Sequence, residues 1–339
     1  MTFVMVHVVQ KPIAMKLLKI LGALVLVLVV VVAGALTYVS TALPDVGPPP
    51  EITVEITPER LERGEYLANH VMLCMDCHST RDWSIYAGPP KAGTEGIGGE
   101  YFDQSMNFPG KFVSRNITPA GVGEWTDGEL YRAITAGVSK DGSPLFPVMP
   151  YLNFGKMADE DIYSVIAYIR SLPAIEAKHE ASEPDFPINF IMRTMPKRGI
   201  PGEIPPPTKA TEYGAYLVNA ASCGECHTKQ EKGEYVGEPF AGGFEFKYPT
   251  GAVVRSMNIT PHETGIGNWS REKFIERFKM HADNGYTAPR IDWEKGDFQT
   301  VMPWLMYAEM TEQDLGAIYD YLMTLKPVDN VVEKWTPAS

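Results

Sequence analysis

The sequence predicts an all-α protein: one N-terminal transmembrane helix followed by two tandem helical domains of the same kind. Three observations carry this expectation. An uncharged apolar stretch runs from Ile20 to Val39, short signatures recur in the same order along the two halves of the remaining chain, and each half closes on an apolar stripe at helical spacing. A chain of 339 residues has room for two domains beyond a membrane segment.

The apolar stretch comes first. At about 1.5 Å per residue it reaches about 30 Å, the thickness of a bilayer's hydrocarbon core. Lys11, Lys16 and Lys19 precede it and the first carboxylate is Asp45, so the positive-inside rule keeps the N-terminus in the cytoplasm. A cleaved secretory signal is the rival reading, because Ala33-Gly34-Ala35 offers small residues where a peptidase wants them. The apolar run continues from Leu36 to Val39 past that site, which favours an uncleaved anchor over residues 1–42. Both readings export the rest; the expected location is a single pass through the cytoplasmic membrane, with the domains on the periplasmic, outer face. Residues 43–58 are a Pro-rich spacer.

Beyond the spacer the chain repeats itself. Gly64-Glu65-Tyr66-Leu67 is matched by Gly214-Ala215-Tyr216-Leu217, Asn116-Ile117-Thr118-Pro119 by Asn258-Ile259-Thr260-Pro261, and Met149-Pro150-Tyr151 by Met302-Pro303-Trp304. Trp125 and Trp269 recur between the last two. Order and spacing agree, which predicts duplicated domains at 59–173 and 210–330 joined by a tethered Pro-containing linker, 174–209. Each copy ends on a helix signal: Ile162, Val165, Ile166 and Ile169 in one, Leu315, Ile318, Tyr319 and Leu322 in the other, with acidic residues in the first turn where the helix dipole favours them. The second copy is longer between its Trp and its Met-Pro, the excess falling within His281 to Thr300. That insertion reads as a surface loop in preference to a docking surface.

All four cysteines lie in two copies of one motif, Cys74-Met75-Asp76-Cys77-His78 and Cys223-Gly224-Glu225-Cys226-His227. C-x-x-C-H is the attachment site for c-type haem: each thiol forms a thioether to a vinyl group, and the next imidazole sits under the iron. A four-cysteine zinc site wants its pairs about 15–20 residues apart, which these are not, and a thioredoxin-like pair wants a βαβ context. The expected cofactors are two covalently bound c-type haems, attached at Cys74, Cys77, Cys223 and Cys226, with His78 and His227 as proximal iron ligands.

For the opposite axial position Met149 and Met302 stand out, because the proline after each holds it extended in a loop. Met157 and Met310 also recur but sit at helix entrances and read as packing. His7, His70, His179, His262 and His281 lack such repetition and read as surface or satisfied core residues. A His/Met iron is six-coordinate and suits one-electron transfer, so no catalytic residue is expected and a di-haem peroxidase is disfavoured. Arg115 and Arg255 are candidates to pair with haem propionates. Trp125 and Trp269 read as aromatics lining the haem pocket, and the two Asn-x-Thr sites as structural loop residues. A net charge of −12 excludes a nucleic-acid partner.

Helix, CxxCH, an Asn-Ile-Thr-Pro loop, Met-Pro and a closing amphipathic helix together resemble the class I cytochrome c fold. More narrowly, residues about 60 to 330 are similar to the multi-haem cytochrome subunits of bacterial membrane-bound alcohol and gluconate dehydrogenases. The resemblance implies two small bundles with crossing terminal helices, one haem held by Cys74, Cys77, His78 and Met149 and the other by Cys223, Cys226, His227 and Met302. It also implies electron exchange with a membrane quinone pool or a soluble carrier. Those subunits usually carry three haem domains and a C-terminal membrane attachment, whereas two domains and an N-terminal anchor are expected here. The leading expectation is therefore a non-enzymatic di-haem carrier in a respiratory chain, between a quinol-oxidising membrane complex and a terminal oxidase or soluble cytochrome. The alternative is the electron-accepting subunit of a membrane-bound flavin- or quinone-dependent alcohol or sugar dehydrogenase.

Overall fold

In the computed structural model the described residues are 10–338; residues 1–9, which hold His7 and the start of the predicted anchor, and Ser339 lie outside them. Helix α1 (Gln10–Ala42) has 33 residues, and its span from Met15 to Ala42 is apolar and long enough to cross a membrane, with none of it buried in the rest of the protein.

In the first domain α2 (Pro58–Tyr66) starts where the Thr57 hydroxyl accepts the Arg60 N–H at 3.3 Å and Pro58 presets the first turn. It widens into a π-turn over Leu67–Val71. Leu73, left-handed at φ 56°, then reverses the chain into the short α3 (Cys74–Cys77). A hairpin follows, β1 (Tyr101–Phe102) with β2 (Gly110–Val113), then α4 (Pro119–Val122) and α5 (Asp127–Ala136). Thr126 and Glu129 form a capping box on α5, and Gly137 closes it. The turn α6 (Tyr151–Phe154) leads into α7 (Asp159–Ser171). The linker contributes β3 (Glu183–Pro184) and α8 (Ile188–Ile191).

The second domain repeats the plan. Helix α9 (Ala210–Ala220) leads through Ser222, left-handed at φ 53°, into α10 (Cys223–His227). A small ribbon of β4 (Gln230–Glu231) and β5 (Glu234–Tyr235) precedes the hairpin β6 (Glu245–Lys247) and β7 (Val253–Arg255). After these come α11 (Arg271–Lys279), α12 (Trp304–Tyr307), α13 (Glu312–Leu322) and β8 (Trp335–Thr336).

The protein is mainly helical, and the strict all-α expectation is corrected by these small sheets. Tyr101 pairs with Val113 in one hairpin and Glu245 with Arg255 in the other, and each hairpin gains a third strand from the chain beyond its domain's last helix. β3 pairs with β2, and β8 with β7. Strands this short show no two-residue alternation in sequence, so pattern reading misses them.

The recurring Gly-x-Tyr-Leu signature has a packing reason. α2 crosses α7 and α9 crosses α13 so closely that a Cβ on Gly64 would lie 1.9 Å from the Ser164 carbonyl oxygen. A Cβ on Gly214 would lie 1.9 Å from the Ala317 carbonyl oxygen. The apolar stripes of α7 and α13 face inward: Ile162, Val165, Ile166 and Leu315 are fully buried, and Met157 and Met310 join them. One apolar core runs through both domains.

Polar ties cross the same boundary in mirrored pairs. The Tyr66 hydroxyl donates to Asp314 Oδ2 at 2.6 Å, and the Tyr216 hydroxyl donates to Asp161 Oδ2 at 2.6 Å. Each hydroxyl also accepts a backbone N–H at the entrance of the partner helix, from Thr311 at 3.1 Å and Ala158 at 3.3 Å. Asp161 is further held by both prongs of Arg63 at 2.8 Å. The insertion of the second domain is not a free surface loop. Its Pro289 carbonyl accepts from Tyr86 N–H at 2.9 Å, Ile291 N–H donates to the Ser84 carbonyl at 2.9 Å, and the buried Gln299 amide bonds the backbone of Ile85 and Ala87. It clasps the first domain by giving those loop backbone groups hydrogen-bond partners.

Candidate haem sites

Each Cys pair opens on a cavity. The first, of about 770 Å³, is lined by Cys74, Cys77 and His78 on one side and by Met149 on another. The second, of about 360 Å³, brings Cys223, Cys226 and His227 together with Met302. Trp125 lines the first and Trp269 the second. Part of the size difference lies in the walls: where α5 contributes Leu130 and Ile134, α11 contributes Phe274 and Phe278.

Both histidines are held alike. His78 Nδ1 lies 2.7 Å from the Arg115 carbonyl oxygen, and His227 Nδ1 lies 2.7 Å from the Met257 carbonyl oxygen. A carbonyl oxygen only accepts, so Nδ1 carries the proton and Nε2 keeps its lone pair. Burial lowers the pKa of both rings, with the carbonyl opposing it, which keeps the imidazole neutral and able to ligate iron. The two carbonyls belong to the residues just before Asn116 and Asn258. The Asn116 side chain accepts from Thr118 and donates to the Ile175 carbonyl at 2.8 Å; Asn258 accepts from Thr260 and donates to the Val328 carbonyl at 2.8 Å. These asparagines therefore fix the loop that orients the histidine of each motif.

The thiols themselves are poor candidates for other chemistry. Burial pushes all four up to about 12, whereas a redox or zinc-binding thiol is stabilised as thiolate. Among the described residues, no cluster of three or more His, Cys, Asp or Glu is arranged to hold a bare metal ion. Apolar slots of several hundred Å³ with two thiols, a neutral imidazole and a thioether in their walls fit a thioether-linked porphyrin.

The two arginines are not equivalent. Arg115 lines the first cavity and donates to Ser139 Oγ at 3.1 Å, while its counterpart by position in the repeat is Met257. Arg255 lines the second cavity from β7, engaged by Glu245 at 2.8 Å and Thr336 Oγ1 at 2.9 Å. Sequence reasoning missed other polar wall residues: Asn189 and Arg193 from the linker in the first cavity, Arg277 and Lys334 in the second. The four-residue spacing of Asn189 and Arg193 was the available signal, since it sets both on one side of a helical turn.

The profile of the cytochrome c family matches residues 211–326, the second domain. The chain is similar to the cytochrome c subunit of the quinone-dependent alcohol dehydrogenase of Gluconobacter oxydans (strain 621H), at 29% identity over 65% of this chain and 46% of the relative. It is similar to the gluconate 2-dehydrogenase cytochrome c subunit of Pantoea cypripedii, at 26% identity over 79% of this chain and 60% of the relative. It is similar as well to a diheme cytochrome c-type protein of Cereibacter sphaeroides, at 27% identity over 76% of this chain and 83% of the relative. The chain spans about half the length of the alcohol dehydrogenase subunits it matches. Residues 211–326 are therefore a cytochrome c domain.

Proposed function

We propose that the protein is a membrane-anchored di-haem cytochrome c and the electron-accepting subunit of a membrane-bound flavin- or quinone-dependent alcohol or sugar dehydrogenase. Residues 59–173 and 210–330 are its two haem domains, held on the outer face of the membrane by α1. Cys74 and Cys77 attach one haem between His78 and Met149; Cys223 and Cys226 attach the other between His227 and Met302. Arg115 and Arg255 answer the propionates. When bound, haem iron supplies a one-electron couple, and substrate oxidation belongs to the partner subunit.

The observation that carries the two-haem reading is the duplicated His–carbonyl pair at 2.7 Å, each at the mouth of a cavity that also holds a methionine. The relatives named as dehydrogenase cytochrome subunits support that partnership over the bridge between respiratory complexes. The diheme cytochrome of Cereibacter sphaeroides, covered over 83% of its length, favours the bridging carrier as the second reading. Native isolation from detergent-solubilised membranes, with mass spectrometry of what stays bound, separates them. A flavin or quinone dehydrogenase in the complex supports the first; quinol-oxidising or terminal-oxidase subunits support the second.

A further inference from the structure

The linker carries an exposed apolar strip beside the end of α1. Phe186 is 80% exposed and Ile191 42%, and the Phe186 and Phe190 rings meet edge to face at 6.1 Å. Phe190 is half-buried behind Phe186, so the strip presents one exposed ring, one half-covered ring and an isoleucine side by side, the kind of contiguous apolar patch that marks an interaction surface. The charge pattern is as unusual as the exposure. From Phe186 to Gly202 there is no carboxylate, in a chain with 42 acidic residues, while Arg193, Lys197 and Arg198 fall inside that stretch. Lys197 and Arg198 are exposed.

The strip is tied to the apolar helix. The turn Met192–Thr194 lies against α1, and Arg193 Nη1 donates to the Leu43 carbonyl at 3.0 Å, one residue beyond the helix's last residue Ala42. Tyr38, 62% exposed on the last turns of α1, sits where an interfacial aromatic belongs. A strip fastened at the exit of a spanning helix is held at the depth of the headgroups.

We propose that Phe186, Phe190 and Ile191 insert into the headgroup–acyl boundary of the bilayer that α1 crosses, with Lys197 and Arg198 at the phosphates of anionic lipids. The inference rests on the anchor reading of α1. Apolar rings beside lysine and arginine are the composition of segments that lie in an anionic interface. Met192 and Arg193 also line the first cavity, so docking the strip brings that cavity to the membrane side of the protein.

The test uses the full chain in vesicles of phosphatidylglycerol and phosphatidylethanolamine doped with a phospholipid carrying a photoreactive group near the glycerol. Cross-linked peptides are mapped by mass spectrometry. Adducts in both α1 and residues 186–200 are expected, and the paired change Phe186→Asp with Ile191→Asp should cut the strip's adducts about tenfold while leaving those of α1. Adducts in α1 alone overturn the strip and leave the anchor standing. Adducts in the strip alone support the strip and overturn the anchor; adducts in neither overturn both.

Discussion

Tyr66 of the first domain donates a 2.6 Å hydrogen bond to Asp314 of the second, and the repeat mirrors it with Tyr216 and Asp161. The four residues occupy matching positions in the two copies, giving a pseudo-twofold interface in which the tyrosine on each domain's first helix bonds the aspartate on the other's last helix. The two cavities are thereby held in one relation to each other.

Removing these hydroxyls should loosen the pair of domains without touching the cavities. Each of Tyr66→Phe and Tyr216→Phe leaves a carboxylate short of a donor and is expected to cost about 1–3 kcal/mol of stability. Thermal melts followed by haem absorbance and by circular dichroism check this, with haem content unchanged.

Gly64→Ala and Gly214→Ala meet backbone carbonyl oxygens at 1.9 Å and cannot be absorbed by a rotamer change. Separation of the crossed helices is expected to cost about 1–3 kcal/mol or more. Lower yield of protein carrying the affected domain's haem, measured by haem stain against antibody signal, is the readout.

Met149→Ala and Met302→Ala should each open one coordination position. The reduced wild-type protein is expected to bind no carbon monoxide and each variant about one equivalent, with a lowered midpoint potential for the altered haem only. Carbon monoxide difference spectra and redox titration decide it; uptake by the wild type would revive a peroxidase-like site.

The buried His281 ring stacks between Tyr86, at 6.1 Å, and Trp304, at 5.3 Å, and its Nδ1 finds no partner among the described residues. Burial, helped by Arg277, lowers its pKa, so the folded protein holds it neutral. Its contribution is complete above the unfolded value of about 6.5 and is lost as pH falls from there toward the folded value. Stability therefore rises with pH in that window. Melting temperature should drop between about pH 7.5 and about pH 5.5, and His281→Phe should flatten part of that drop; His70, whose pKa burial also lowers, supplies more of the same sign.

Deleting Thr287 to Lys295 removes the backbone bonds to Tyr86 and Ser84, worth about 2 kcal/mol together. Both haems should remain attached, while amide exchange at residues 83–88 accelerates. Unchanged exchange would mean the clasp contributes nothing to that loop.

What the sequence made legible follows from repetition. A signature that recurs at matched spacing, such as Gly64 with Gly214 or Asn116 with Asn258, answers a constraint imposed twice: a helix crossing in one case, a loop orienting a histidine in the other. The stripes of α7 and α13 were visible because burial on one helix face forces a 3.6-residue period. What repetition does not reach was lost. Asn189 and Arg193 enter the first cavity from a linker whose path depends on β3 pairing with β2; their four-residue spacing sets them on one side of a turn but does not say which surface that turn returns to. The insertion after His281 occurs once, so its clasp on Tyr86 had no counterpart to betray it. Arg115 and Arg255 looked alike as residues near the Asn-Ile-Thr-Pro loops, yet their offsets from Asn116 and Asn258 differ, and the structure sets them at different points of their cavities.

The proposed function requires one chain to hold two covalently attached haems, one per domain. The direct measurement is the mass of the denatured, mature polypeptide, taken for the natural protein and for Cys74→Ala/Cys77→Ala and Cys223→Ala/Cys226→Ala. Two haem masses are expected on the natural chain and one on each variant. A single haem mass on the natural chain, lost in one variant and untouched in the other, would contradict it.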